Sequence, residues 1–183
     1  MAEDSKQKIM DATYCALCEH GYADLSIQKI ADEFDKGKSL IYYHYDDKED
    51  LMLSFLDYMQ NHMESTHEEI MDLSPEERLD AFLDKALGLE EKERWEFQKA
   101  FLELRAQAAH NEKFKEKFGQ MDRQILENLE EILSGIGIEN RDISEIVLSS
   151  VEGAASRKVS IGDREGLQEM KGTIKDTVEN LSN

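Results

Sequence analysis

The sequence predicts an all-α protein of about nine helices, with a small N-terminal helix-turn-helix domain and a larger C-terminal helical domain. Three observations carry this reading. Apolar residues recur at helical spacing from one end of the chain to the other, and nothing alternates in the manner of a strand. The breaks between these runs carry residues that start and stop helices. Residues 26 to 51 hold two short amphipathic runs around a tight turn, the second of them dense in Lys, Ser, Tyr and His.

Taken in order, Ile9, Ala12, Thr13, Ala16 and Leu17 share the core-facing side of a first helix, and Gly21 follows as a stop where positive φ costs little. Cys15 and Cys18 form a Cys-x-x-Cys pair within that helix. There is no second pair to complete a zinc site and no strand before them, so they read as buried structural thiols, with a redox-sensing pair as the alternative. Ser26 caps a second helix carrying Ile27, Ile30, Ala31 and Phe34, and Asp35-Lys36-Gly37 supplies the turn. A short third helix runs from Lys38 to about Tyr45.

Asp46 to Asp50 put acidic groups at the start of a long fourth helix, where they favour the positive end of its dipole. That helix extends to about residue 72 with Leu51, Phe55, Met59 and Met63 on one face, and it joins the two domains. The only proline begins the fifth helix in Ser74-Pro75-Glu76-Glu77, a capping box with a preset φ. Leu79, Phe82, Leu83, Ala86 and Leu87 form its buried side. In the sixth helix, about 91 to 109, Trp95, Phe97, Phe101, Leu102 and Leu104 spread around the circumference, so it should be covered on several sides.

Asn111 caps a seventh helix through Phe114, Phe118, Met121, Ile125, Leu129 and Ile132 to the Gly135 to Gly137 break. The eighth, about 142 to 160, and the ninth, about 164 to 181, each carry one apolar stripe with small residues suited to close packing.

The chain has 183 residues, 40% of them hydrophobic, enough for a substantial core. No run approaches the roughly 18 apolar residues of a membrane span, and the first six residues lack the basic flank and apolar stretch of a signal peptide. A cytoplasmic protein is expected. Asp and Glu number 41 against 22 Lys and Arg, a formal charge of -19, and a surface of that sign repels phosphates. The excess is spread along the whole chain, as expected for a protein adapted to molar salt, where charges are heavily screened; a halophilic source follows as a hypothesis.

On a helical wheel, Ile41 and Tyr45 point inward, which sends Ser39 and Tyr43 to the opposite face with Leu40 and Tyr42 on either side. Hydroxyls on such a helix reach base edges or phosphates in a major groove, and an apolar side chain can meet a thymine methyl. Lys36, Lys38, His44 and Lys48 bracket it with groups suited to phosphate oxygens. The candidate DNA contacts are therefore Ser26, Lys36, Lys38, Ser39, Leu40, Tyr42, Tyr43, His44 and Lys48.

Ile30-Ala31, Tyr42-Tyr43-His44-Tyr45 and Lys48-Glu49-Asp50-Leu51, with Ile9, Ala12, Gly21, Tyr22 and Ser26 upstream, resemble the signature of the TetR/AcrR family of transcriptional regulators over about the first 55 residues. The resemblance implies a DNA-binding domain at 1–47 and an effector-binding and dimerisation domain at 48–183. It further implies a homodimer on a palindromic operator, acting as a repressor released by a small apolar effector. The dimer would form through the last two helices, with Val147, Val151, Ala154, Ala155, Met170, Ile174 and Val178 at the interface and Gly153-Ala154-Ala155 at a close crossing. The chain departs from the family pattern with Phe34-Asp35 in place of Ala-Gly, Gly37 in place of a capping Ser, Leu17 in place of Phe, and Leu40 where a polar residue is common.

An effector pocket is expected among helices four to seven, lined by Met59, Met63, Phe82, Trp95, Phe101 and Arg105. No Gly-rich phosphate loop, nucleophile elbow or metal-spaced cluster is present; His62 and His67 are split across a helix. Neither catalysis nor a cofactor or metal is expected. The alternative reading is a helical architectural or protein-interaction module without specific operator recognition. Residues 1 to 50 hold six lysines, no arginine and twelve acidic residues, a formal -6. DNA binding by such a domain should lean on neutral hydroxyl, imidazole and backbone donors and depend weakly on salt.

Overall fold

A computed structural model describes residues 2–34, 37–89 and 92–181, all of its regular elements being helical. In order these are α1 (Ala2–Asp24), α2 (Ile27–Asp32), α3 (Lys38–His44), α4 (Lys48–Met71), α5 (Pro75–Leu87), α6 (Lys92–Ala106), α7 (Glu112–Ser134), α8 (Arg141–Ile161) and α9 (Arg164–Leu181), with a single 3₁₀ turn at Gln107–Ala109 after α6. The expected α6 thus ends three residues early, its last turn tightening to 3₁₀. Among the described residues no helix is long and apolar enough to cross a membrane.

Local chemistry explains most boundaries. Gly21 sits at φ 71°, ψ 169° and breaks α1, a short stretch to Asp24 continuing beyond it. Asn111 Oδ1 accepts from the Lys113 and Phe114 amides at the start of α7. At α5 the Ser74 amide donates to Glu77 Oε2 at 3.2 Å and its hydroxyl to the same oxygen at 2.7 Å, with Pro75 following. Asp47 Oδ1 accepts from the Asp50 amide at 2.9 Å, and Asp50 Oδ2 accepts from the Asp46 amide at 3.1 Å, so two acidic side chains close the head of α4.

Two apolar clusters fill the molecule. The first joins α1, α2 and α3 to the front of α4, to α6 and to the start of α7; Ile9, Leu17, Ile30, Ile41, Leu51, Phe55, Leu104 and Phe114 lie within it. The second joins α5, α8 and α9 to the rear of α7, with Leu83, Leu129, Ile132, Ala154, Leu167 and Val178 at its centre. Helix α6 serves both, presenting Phe97, Ala100 and Leu104 to the first and Trp95 to the second, which is why its apolar residues encircle it. The helices of the N-terminal domain therefore share one continuous core with α4, α6 and α7, and packing does not break at residue 47.

Two of the buried polar side chains show how such groups are accommodated. The buried Thr13 hydroxyl donates to the Ile9 carbonyl at 2.7 Å. Lys171, 8% exposed, reaches Asp80 at 3.0 Å and Asp84 at 2.7 Å, tying α9 to α5. Burial works against its charge, but these carboxylates more than offset that and hold its pKa above the usual lysine value.

One expectation is corrected. Cys15 is exposed and Cys18 half-buried, because the core-facing stripe of α1 runs through Thr13, Ala16 and Leu17 and leaves Cys15 on its outer side. Within the chain a Cβ at Gly153 would meet nothing within 4 Å. Leu40 is half-buried against the first cluster, at the side of α3 where the wheel sets it.

Candidate nucleic-acid interface

Helix α2 begins at Ser26, whose Oγ accepts from the Lys29 amide at 3.2 Å, so this hydroxyl is engaged in capping. Gly37 precedes α3 at φ 71°, ψ 165°, a conformation that a serine in the same place adopts only with strain. The glycine is therefore a backbone requirement, no neighbour crowding its missing Cβ. Lys36, with Asp35, lies outside the described residues.

Helix α3 divides as the wheel predicts. Ile41 is 0% exposed and Tyr45 6%, whereas Tyr42 is 51% and Tyr43 80% exposed. Burial, aided by Asp50, raises the Tyr45 pKa, so its phenol stays neutral. Ser39 and Lys38 are exposed, and the Lys38 ammonium lies 5.6 Å from the Tyr42 ring centre. His44 is half-buried and edge-on to Tyr43 at 5.0 Å. The outer face thus offers two phenols and a hydroxyl beside one ammonium.

Lys48 is placed differently from its neighbours. Its Nζ donates to the Tyr22 carbonyl at 3.0 Å and lies 4.2 Å from the Tyr22 ring centre. It is half-buried, and burial lowers its pKa.

Several polar ties that sequence reasoning missed join this domain to the rest. Glu103 of α6 accepts from the Ala23 amide at 3.0 Å, just past the Gly21 break. Glu49 of α4 accepts from Asn111 at 2.7 Å and from Lys113 at 2.9 Å, at the head of α7. The Lys113 and Asn111 bonds hold the Glu49 carboxyl below the ordinary glutamate value. Nothing in the local sequence signals these pairs, which are 62 to 80 residues apart.

The six pocket candidates separate. Met59, Met63 and Phe101 pack against the first cluster, while Phe82 and Trp95 belong to the second. Arg105 binds Asp122 through two bonds of 2.8 Å and Glu152 at 3.1 Å, and lies 5.3 Å from the Phe118 ring centre. Burial opposes the charge on Arg105, but Asp122 and Glu152 override it and raise its pKa; burial and Asp122 raise that of Glu152.

The residues assigned to the dimer face are mostly covered by the chain itself. Val147, Val151, Ala154, Ala155, Ile174 and Val178 are buried and Met170 is half-buried. Val147, Met170, Ile174 and Val178 line an open groove between α8 and α9 together with Ile143, Ile146 and Leu181. Ile146 is 65%, Ile161 74% and Leu181 55% exposed, and the sequence reading named none of these as interface residues. The outer positions of the same amphipathic pattern were the available signal.

Known proteins agree with this architecture. Residues 9–55 match the family described as bacterial regulatory proteins, tetR family, and residues 75–182 match the BetI-type transcriptional repressor, C-terminal family. A TetR transcription regulator from Haloarcula marismortui is 33% identical, with 97% of this chain and 98% of that chain covered and a TM-score of 0.86. A transcriptional regulator from Rhodococcus shares the fold at 17% identity, 94% and 95% coverage and TM-score 0.79. FadR from Bacillus subtilis, solved in complex with stearoyl-CoA, shares it at 20% identity, 94% and 96% coverage and TM-score 0.72. No curated protein sequence matches the chain. A helix-turn-helix with an outward polar and aromatic face, set on a larger helical body, defines a DNA-binding regulator of transcription rather than an enzyme. The chain belongs to the TetR family.

Proposed function

We propose that the protein is a cytoplasmic repressor that binds a palindromic operator as a homodimer through α3 of each protomer and is released by a small apolar effector. The observation that carries this reading is the exposed pair Tyr42 and Tyr43 on a helix anchored by buried Ile41 and Tyr45. These two large aromatic side chains lie outside the apolar core, and their hydroxyls, with Ser39, suit base edges and phosphates. Residues 1–47 form the DNA-reading unit and 48–183 the effector and dimer unit, a division of labour rather than of core. Ser26, Lys38 and His44 flank the reading face as phosphate or backbone contacts, and Lys36 is a further candidate.

The α8–α9 groove with exposed Ile146 and Leu181 supports a twofold interface, since water-facing apolar patches on a regulator mark association surfaces. Met59, Met63 and Phe101 on the first cluster, Arg105 beside Phe118, and Phe82 and Trp95 on the second cluster are the effector candidates. The acyl-CoA held by the FadR relative supports an effector with a long apolar part.

Footprinting on the native upstream DNA tests the proposal. The expected result is one protected palindrome with half-sites about 10 base pairs apart or a multiple of that. Uniform coating of unrelated DNA at similar affinity would instead mark an architectural protein. Tyr43→Ala should weaken operator binding about 10- to 100-fold, as for loss of a base contact, with no change in melting temperature because the side chain is 80% exposed. An unaltered affinity would remove Tyr43 from the interface.

Salt provides a separate measurement. With a formal -6 over residues 1 to 50 and Lys48 drawn into the protein, few ammonium groups remain to displace counterions. The slope of log affinity against log KCl concentration should lie between about +1 and about -3, where each neutralised phosphate contributes about -0.9. A slope of about -6 or steeper would show that lysine–phosphate pairs dominate after all. The acidity and the similarity to the Haloarcula regulator support a halophilic setting.

A further inference from the structure

Lys48 stands where a phosphate-binding lysine is expected, one residue into α4 and four beyond α3, yet its ammonium faces the protein. The Tyr22 carbonyl takes a hydrogen bond of 3.0 Å and the Tyr22 ring lies 4.2 Å away. Both partners belong to the short stretch after the Gly21 break, the same stretch whose Ala23 amide is held by Glu103 of α6 at 3.0 Å. The next residue, Glu49, accepts from Asn111 and Lys113 at the head of α7, and burial together with the charge of Glu49 raises the Tyr22 pKa. The first turn of α4 is thus tied both to the end of α1 and to the head of α7.

We infer that Lys48 is a positioning residue that sets the angle of α3 through Tyr22, rather than a ligand of DNA phosphate. The inference rests on the DNA-binding role proposed above. Helix α3 has seven residues and is joined to α4 by a three-residue connection, Tyr45 to Asp47. So short an element takes its direction from the elements at its ends, and the head of α4 is one of them. A half-buried ammonium with a carbonyl acceptor and an aromatic face already satisfies much of its hydrogen-bonding and electrostatic demand. Moving it to a phosphate would leave the Tyr22 carbonyl and ring without their cation. Its lowered pKa agrees with this partly desolvated place.

The two roles differ in salt dependence. A phosphate ligand contributes about -0.9 to the salt slope, whereas a positioning residue lowers affinity equally at all salt concentrations. The experiment measures operator Kd across KCl concentrations for the full-length parent, Lys48→Met, Lys48→Arg and Tyr22→Leu, with melting temperatures alongside. For Lys48→Met the expected result is a Kd raised roughly tenfold with an unchanged slope. Arginine, which keeps a donor and stacks on a ring, should restore most of the affinity. Tyr22→Leu, which removes the ring beneath the Lys48 ammonium, should weaken binding in the same direction and combine less than additively with Lys48→Met. If Lys48→Met does not fold, Tyr22→Leu and Lys48→Arg decide the matter by the same criteria.

A slope that becomes shallower by about 0.9 in Lys48→Met overturns the inference in favour of a phosphate contact. So does a lowered melting temperature with unchanged operator affinity, or a Tyr22→Leu protein that binds like the parent. A parent that binds no specific DNA would instead refute the operator-binding proposal itself.

Discussion

Phe55→Ala is expected to lower stability by about 3–5 kcal/mol, the usual cost of removing a fully buried phenyl ring and leaving a cavity. Phe55 is 0% exposed, and its ring centre lies 6.2 Å from those of both Tyr58 and Phe97. It therefore joins α4 to α6 inside the cluster that also holds Ile41 of α3 and Tyr45 just after it. Because α3 shares that core with α4 and α6, the loss should appear in operator binding as well as in unfolding. Denaturant titration of the variant and the parent in the same KCl concentration checks this. Phe55→Leu should lose less, since it keeps most of the volume. A Phe55→Ala protein with the parent's midpoint would show that the two helices are not held through this contact.

Ile146→Glu should separate the proposed homodimer and reduce operator affinity by more than about 100-fold, because two independent half-site contacts lose the gain of being tethered. Ile146 is 65% exposed and lines the α8–α9 groove. In the monomer a glutamate there meets solvent, so the fold should persist, whereas across a twofold interface it would bury a charge beside its own copy. Sedimentation analysis reads the change in mass, and the circular dichroism spectrum serves as the folding control. A variant that remains dimeric would move the interface away from this groove.

Much of the architecture was legible because its causes are local. Ser74-Pro75-Glu76-Glu77 starts a helix by chemistry confined to four residues, and Asn111 caps the next long helix through amides two and three positions on. The division of α3 into inward Ile41 and outward Ser39, Tyr42 and Tyr43, with Tyr45 turned inward just beyond its end, follows from helical periodicity. Amphipathic spacing also located α8 and α9 to within a residue or so.

What escaped the sequence involves partners remote along the chain. Periodicity marks an apolar stripe without saying whether it meets the protein's own core or a second copy. Val151 and Ala154 were therefore assigned to an interface although the chain itself buries them, while the adjoining Ile146 was passed over. The same ambiguity grouped Met59 with Trp95 as lining of one pocket, though they belong to different clusters. It also read Cys15 as buried, because a residue beside the stripe cannot be told from one within it.

By itself the sequence determined the helices, their caps and the outward face of α3, since each depends on φ preferences, backbone hydrogen bonds and spacing within a few residues. Only the tertiary structure decided where Lys48 points, that Glu49 and Glu103 tie the reading domain to α7 and α6, and which apolar face of α8 and α9 stays open. The physical reason is that a charged side chain chooses among all acceptors within its reach, and those acceptors are brought there by helices far away in the chain.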